Sequence, residues 1–494
     1  MAASSSLTLS RRRFLAGSLA VAGTAVLAGC TGRGPTTTAG SSTSFGPPPP
    51  LAPKPGQNVV AATLTPTATT LDLGGTTVST WAYGDAAPGP LIRASAGDLL
   101  RVTVDNQLPS DTSVHWHGIR LRNAADGVPG VTQGPIAAGE QYLYEFEVPD
   151  PGTYFFHPHT GVQLDRGLYA PLIIDDPAEP GQYDLEWIVV LDDWIDGTGT
   201  TPDEVLQGLT AGNGESGGMG GMGHGSAGMG PAPFGDAGDV TYPYYVINGR
   251  NHTAPTVFEG KPGQRVRMRV INAASDTIFA VALGGHTFQI THSDGFPVEP
   301  AQTGAFYIGM GERLDAIVTL GDGVFPLYAE PFNKTGAALA VVRTAAGDAP
   351  TVSARPGELS GDVTLLSDLT PAQSALLPAR TPDRELDLSL NGQMQPYEWG
   401  MNGAVFGENE PLIVAEGERV RIRIRNMTMM AHPIHLHGHT FALTGSGLRK
   451  DTVLLAPMES RSIDLDADNA GDWALHCHNI YHAEAGMMTL LNYG

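Results

Sequence analysis

The sequence predicts an all-β protein made of three β-sandwich domains, and three observations carry that expectation. With Gly 63 and Pro 38 but only 16% charged residues, the chain is rich in turns and lacks the charge patterning of surface helices. Its 494 residues exceed what one core accommodates and suit about three domains of ordinary size. A strand of alternating apolar residues, set between a glycine and an asparagine nine positions later, occurs at Gly97 to Asn106, Gly263 to Asn272 and Gly417 to Asn426. Period two marks a half-buried antiparallel strand. In the second copy Val266, Met268 and Val270 face away from Arg265, Arg267 and Arg269; in the third Val420, Ile422 and Ile424 oppose Arg421, Arg423 and Arg425. Three copies of one strand imply three copies of one sandwich.

Residues 1–30 come first: Ser10, Arg11, Arg12, Arg13, Phe14 and Leu15 open an apolar run that ends in LAGC at Cys30. This reads as a twin-arginine export leader with a lipoprotein-type cleavage box, so that the chain passes the twin-arginine export machinery and acylated Cys30 anchors it to the outer face of the cell membrane. The alternative is an uncleaved transmembrane anchor, but Phe14 to Gly29 falls short of the roughly 20 residues a span needs. Residues 31–57, with Pro47, Pro48, Pro49 and Pro50, form a Pro/Ser/Thr/Gly spacer. The three domains then cover 58–180, 181–345 and 384–494, with a linker at 346–383 and a methionine- and glycine-rich loop at 208–235 in the second. Lys+Arg 28 against Asp+Glu 51 gives a net charge of -23, which argues against a nucleic-acid partner and concentrates cations at the surface. Cys30 and Cys477 are the only cysteines, so the mature chain has no structural disulfide.

The chemistry concentrates in four histidine clusters. HCHNIYHAEAGM, from His476 to Met487, places a thiolate (Cys477), an imidazole (His482) and a thioether (Met487) in one segment, the ligand types of a blue-copper site. On a strand, His476 and His478 turn to the face opposite Cys477, so one strand touches two metal sites. HPIHLHGH adds His432, His435 and His437, HWHG adds His115 and His117, and HPH adds His157 and His159. A lone HxH is usually a surface or core accident; four clusters, one with a cysteine, are not.

The repeat shows which copies hold metal. Nine and eleven residues past Asn106 lie His115 and His117, and the same offsets past Asn426 give His435 and His437, whereas past Asn272 they give Val281 and Leu283. Gly152 leads to His157 and His159 just as Gly471 leads to His476 and His478; in that frame Cys477, His482 and Met487 correspond to Pro158, Gln163 and Leu168, and His432 to Thr112. The middle domain has lost its ligands, and only the third has the cysteine site.

These motifs resemble the four copper motifs of the multicopper oxidases, the family of laccases, ascorbate oxidase and bacterial cuprous oxidases, from about Thr63 to the end. The resemblance implies cupredoxin-like Greek-key sandwiches and four copper ions. Type 1 would be held by His432, Cys477 and His482 with Met487 axial and Met488 as its rival. His115 and His435 resemble type 2 ligands, His117, His157 and His478 one type 3 set, and His159, His437 and His476 the other. A one-electron donor is then oxidised at the type 1 site, electrons leave through Cys477 into His476 and His478, and four of them reduce O2 to two waters.

Asp126 lies where the family often has a proton-donating acid, and Glu484 lies two residues past His482; solvated loop carboxylates are the competing reading. Asp451, in RKDTV, resembles the acid that binds substrate copper in cuprous oxidases. Met219, Met222, Met229 and His224 sit in a glycine-rich segment suited to collecting Cu(I), though methionines in such a linker can be filler. The first expectation is therefore an exported Cu(I) oxidase in copper tolerance, and the second a laccase acting on phenols or aromatic amines. A copper nitrite reductase needs fewer histidines. A copper-sequestering surface lipoprotein has no use for eight clustered ones.

Overall fold

The computed structural model describes residues 45–46, 48–179, 182–212, 233–236 and 238–494. The leader with Cys30, and Met219, Met222, His224 and Met229 of the glycine-rich loop, lie outside these described residues.

The three repeat strands have the same surroundings in each sandwich. Gly97, Gly263 and Gly417 adopt φ of +93°, +83° and +84°, turning the chain where a side chain would be strained. Each strand leads into an asparagine whose amide donates twice and accepts from the N–H two residues on. Asn106 binds the carbonyls of Ser110 and Ile136 and the N–H of Leu108. Asn272 serves Thr277, Ile308 and Ala274, and Asn426 serves Met430, Ala456 and Thr428. The motif thus satisfies buried backbone groups of the loop that enters the opposite sheet.

The strands are not antiparallel on both sides. Leu99–Asp105 runs parallel to Val59–Leu64 and antiparallel to Gln141–Glu147. Arg265–Asn272 and Arg419–Asn426 likewise run parallel to Leu185–Trp194 and Arg384–Met394. The first strand of each sandwich returns to its neighbour only after a crossover, which forces the parallel pairing. A second expectation also changes. The Val266, Met268 and Val270 face is buried, but Arg267 and Arg269 are buried too, because Asp315 pairs with both and Thr153 of the first sandwich reaches Arg269 and Asp315. In the third copy Arg423 and Arg425 are exposed at 43% and 58% of their side-chain surface, as period two predicts.

The first sandwich closes its own core around Trp116, Tyr144, Phe146 and Phe156. The second and third share a continuous one that reaches to Leu491 and takes in Phe155, Val162, Leu164 and Tyr169 of the first. Segment 346–383 contributes strand Val363–Leu365, paired parallel with Ala305–Ile308. Among the described residues, Pro202–Thr210 and Ile480–Glu484 are the α-helices, and no helix is long and apolar enough to cross a membrane.

Candidate metal centres

The cysteine site forms where strand Asp472–Cys477 turns into helix Ile480–Glu484. Asn479 caps that helix, accepting from the N–H groups of Tyr481 and His482, and so folds His482 back toward Cys477. His432 arrives on the adjacent strand His432–Leu436, in which Ile434 stands opposite Cys477. Cys477 Sγ lies 3.5 Å from His432 Nδ1 and 3.7 Å from His482 Nδ1, and the two nitrogens are 3.1 Å apart. Ligands about 2.0–2.3 Å from a common ion sit roughly 3–4 Å from one another. Met487 is fully buried beside them, its carbonyl accepting from Cys477 N–H at 3.0 Å and its N–H donating to His482 O at 2.9 Å, whereas Met488 is only half-buried.

The outward nitrogens are also held. His432 Nε2 is 2.7 Å from Thr428 Oγ1, and His482 Nε2 is 2.9 Å from Asp239 Oδ2, which also accepts from Tyr397 OH at 2.6 Å. The Trp399 indole covers His482, centroids 4.0 Å apart. Burial, with His482 as neighbour, holds His432 well below its ordinary pKa. Burial acts the same way on His482, but there the Asp239 carboxylate outweighs it and raises the imidazole to about 10.

The other eight histidines gather where the first and third sandwiches meet. His115 stands opposite His157 in one sheet, and His435 opposite His476 in another. His476 Nε2 lies 2.9 Å from His437 Nε2 and 3.4 Å from His159 Nε2. Rings of His117 and His478 are 4.8 Å apart by centroid, and those of His157 and His478 5.2 Å. Among the described residues, His115 Nε2, His117 Nδ1, His157 Nε2, His435 Nε2 and both nitrogens of His478 are buried without a hydrogen-bond partner.

The opposite nitrogens are taken. Nδ1 of His115, His157, His435 and His476 each lies 2.9 Å from a backbone carbonyl, of Asp126, Pro158, Asp451 and Cys477. This fixes the Nδ1–H tautomer and leaves Nε2 lone pairs facing the common space. His117 is reversed, with Nε2 on Thr452 Oγ1 at 3.0 Å and Nδ1 inward. Burial first, then neighbouring histidines, pushes His157, His159, His437 and His478 well below their ordinary pKa, into the form that binds metal.

The carboxylates separate. Asp126 is fully buried against this cluster, with Oδ2 3.0 Å from His437 Nδ1 and Oδ1 3.3 Å from His115 Nδ1. Asp451 is also fully buried here, 3.3 Å from His117 Nε2 and paired with Arg313, so it has no access to substrate copper and the expectation for it is corrected. Glu484 ends its helix as an exposed residue whose acidic neighbour is Asp203. The first sandwich keeps a relic of the cysteine site: Thr112 Oγ1 donates to Gln163 Oε1 at 2.7 Å where the third has His432 and His482. Val281 and Leu283 are core residues of the second.

Family models described as multicopper oxidase match residues 65–179, 187–346 and 379–494. The chain belongs to the multicopper oxidase family. It is a copper-dependent oxidoreductase with O2 as acceptor. This multicopper oxidase is 48% identical over 439 residues to multicopper oxidase MmcO of Mycobacterium tuberculosis, covering 88% of this chain and 87% of that one. It is 30% identical to a copper resistance protein A homolog of Pseudomonas syringae pv. tomato, over 81% and 86% of the two chains. A laccase variant from B. aclada superposes with a TM-score of 0.72 at 26% identity, covering 88% of this chain and 87% of that one.

The orphaned imidazole nitrogens and the thiolate, imidazole and thioether donors of this oxidase fit copper. Sequence reasoning missed Thr428, Asp239, Trp399, Thr452 and Arg313. Thr428 lies two residues past the repeat asparagine and was within reach of the pattern; Asp239 and Arg313 lie 243 and 138 residues from their partners His482 and Asp451, and nothing local announces them.

Proposed function

We propose that this multicopper oxidase oxidises Cu(I), coupling four one-electron oxidations to the reduction of O2 to water, in copper tolerance. The observation that carries the substrate is the approach to His482. The crevice there, lined by Asp236, Phe332, Met430 and Asn479 among others, encloses about 10 Å³, room for an ion rather than an aromatic ring. Around it Met427, Met429 and Met458 are 57%, 67% and 59% exposed; Met458 N–H donates to Thr428 O at 3.2 Å, and Thr428 itself touches His432. Thioethers are soft donors suited to Cu(I). Gly235, at the end of the sequence segment that carries Met219, Met222, Met229 and His224, forms a β-bridge with Met430 of this crevice. Similarity to copper resistance protein A homologues supports the role in tolerance.

Four coppers are proposed: a type 1 ion would be held by His432, Cys477, His482 and Met487, a type 2 ion by His115 and His435, and two type 3 ions by His117, His157 and His478 and by His159, His437 and His476. Bound copper supplies the one-electron chemistry and the site of O2 reduction. The chain contributes the rest. Cys477 is peptide-bonded to His476 and His478, so one strand end fixes the separation between donor and acceptor sites. Burial excludes water from both. Asp126, on His437 Nδ1, is the acid placed to hand on the protons that O2 reduction consumes. Export by the twin-arginine machinery and anchoring through acylated Cys30 belong to the same proposal, and Cys30→Ala should free the protein from membranes without loss of activity.

The test is a steady-state comparison of Cu(I) and a phenol on the same copper-loaded preparations. Replacing Met219, Met222, Met229 and His224 should raise KM for Cu(I) and leave phenol oxidation unchanged or faster. If Cu(I) kinetics stay untouched and phenol oxidation falls, the laccase reading replaces this one.

A further inference from the structure

We infer that Arg313, from the sandwich that carries no ligand, is a positioning residue for the eight-histidine site: through Asp451 it fixes which nitrogen His117 turns toward metal and steadies the His435 tautomer that the Asp451 carbonyl sets. The inference rests on the copper reading above. Arg313 is fully buried and touches all three sandwiches. Its Nε donates to Thr153 O at 3.1 Å in the first and its Nη1 to Gly311 O at 2.9 Å in its own; both Nη atoms grip the Asp451 carboxylate of the third, Nη1 to Oδ1 at 2.6 Å.

A two-pronged grip sets the carboxylate plane, which a lysine cannot do. Oδ1, so placed, accepts from Thr452 Oγ1 at 2.9 Å. That hydroxyl has spent its proton, so its lone pairs face His117 Nε2 at 3.0 Å and His435 Nδ1 at 3.1 Å, and both nitrogens must carry hydrogen. The nitrogens left bare are His117 Nδ1 and His435 Nε2, the two that are orphaned and point into the cluster. The reversed orientation of His117 is thereby explained. The same loop forms a wall: at Gly311, with φ +80°, a Cβ would lie 2.8 Å from His478 Cδ2 and 2.9 Å from His117 Cε1, so backbone packs where a side chain would displace both rings.

Three variants test this. Arg313→Met frees Asp451, and loss of such an outer partner weakens metal retention on the order of 10–100-fold. Copper per chain and the type 2 electron paramagnetic resonance signal should fall, while the blue absorption of Cys477 stays. Thr452→Val removes only the hydroxyl and should alter the same signal in a chain that folds. Arg419→Met breaks a separate buried contact, with Asp466 and the Pro378 carbonyl, and should lower Tm with the copper signals intact. A wild type that lacks the type 2 and type 3 coppers overturns the copper reading itself. A wild type that holds them beside Arg313→Met and Thr452→Val proteins with equal copper and the same signal overturns the role of Arg313 alone, as does an Arg419→Met protein that loses them to the same extent.

Discussion

At the scale of single residues, Cys477 carries two burdens: it is the one thiol near His432 and His482, and its flanking peptide bonds hold His476 and His478 in the other cluster. Cys477→Ser should therefore abolish the blue band and turnover while the remaining coppers stay bound, as absorbance and metal analysis would show; a variant that stays blue sinks the assignment. His482 makes a pH prediction for the metal-free protein. Burial lowers its pKa, but Asp239 outweighs burial and lifts it to about 10 from an ordinary value near 6.5. The folded state binds this proton more tightly than the unfolded one. Its stabilising contribution is full below about pH 6.5 and disappears as pH rises through 10. Asp239→Asn should flatten that part of the stability profile in denaturant titrations, and copper loading at this site, which displaces the proton, should ease over the same window.

At the scale of elements, one strand and its terminal asparagine recur with the same three hydrogen bonds, but what surrounds them differs. Asn272→Ala takes the donor from the Thr277 and Ile308 carbonyls and the acceptor from Ala274 N–H, a loss of roughly 2–4 kcal/mol, and Asn426→Ala should cost less because Glu459 N–H and Thr428 Oγ1 still serve the Ala456 and Met430 carbonyls. Asn272 supports core and the loop whose Ser275 carbonyl accepts from Ile480 N–H, one element removed from His482, so its loss should shift the denaturation midpoint with little change in the blue band. Asn426 holds Thr428 and Met430 beside His432, so its loss should also shift the blue band; identical spectra for the two variants would contradict this. The strand repeat and every clustered histidine were legible because both follow period two, which a sequence displays. Burial of Arg267 and Arg269 was not, since it arises from Thr153 and Asp315 in strands distant in sequence. RKDTV misled for the same reason: a five-residue motif carries no information about depth, and Asp451 proved to be interior.

At the scale of the molecule, the three sandwiches are joined unequally. The second and third share one apolar core, while the first keeps its own and meets them through a few apolar residues, Phe155, Val162, Leu164 and Tyr169 on that core and Leu71, Leu73, Val78 and Ala82 against Trp194 and Val246, and through polar contacts such as Thr153 with Asp315 and Asn123 Nδ2 donating to Asp472 O at 2.7 Å. The eight-histidine site spans this seam, four imidazoles from each side, all but His159 buried. Without metal, six inward nitrogens there have no partner among the described residues, which penalises the docked arrangement. With metal, the same nitrogens cross-link the first sandwich to the third. Copper that binds only the docked form adds about 4 kcal/mol at a thousandfold excess over Kd. Stripping copper should therefore lower the melting temperature and split one calorimetric transition into two, with amide exchange in strands His115–His117 and Gly152–His157 rising before that in Arg265–Asn272 or Arg419–Asn426. Cys477→Ser, which spares the seam, should melt as one unit when loaded. Equal melting of stripped and loaded protein would mean that the apolar and polar contacts hold the first sandwich in place without metal.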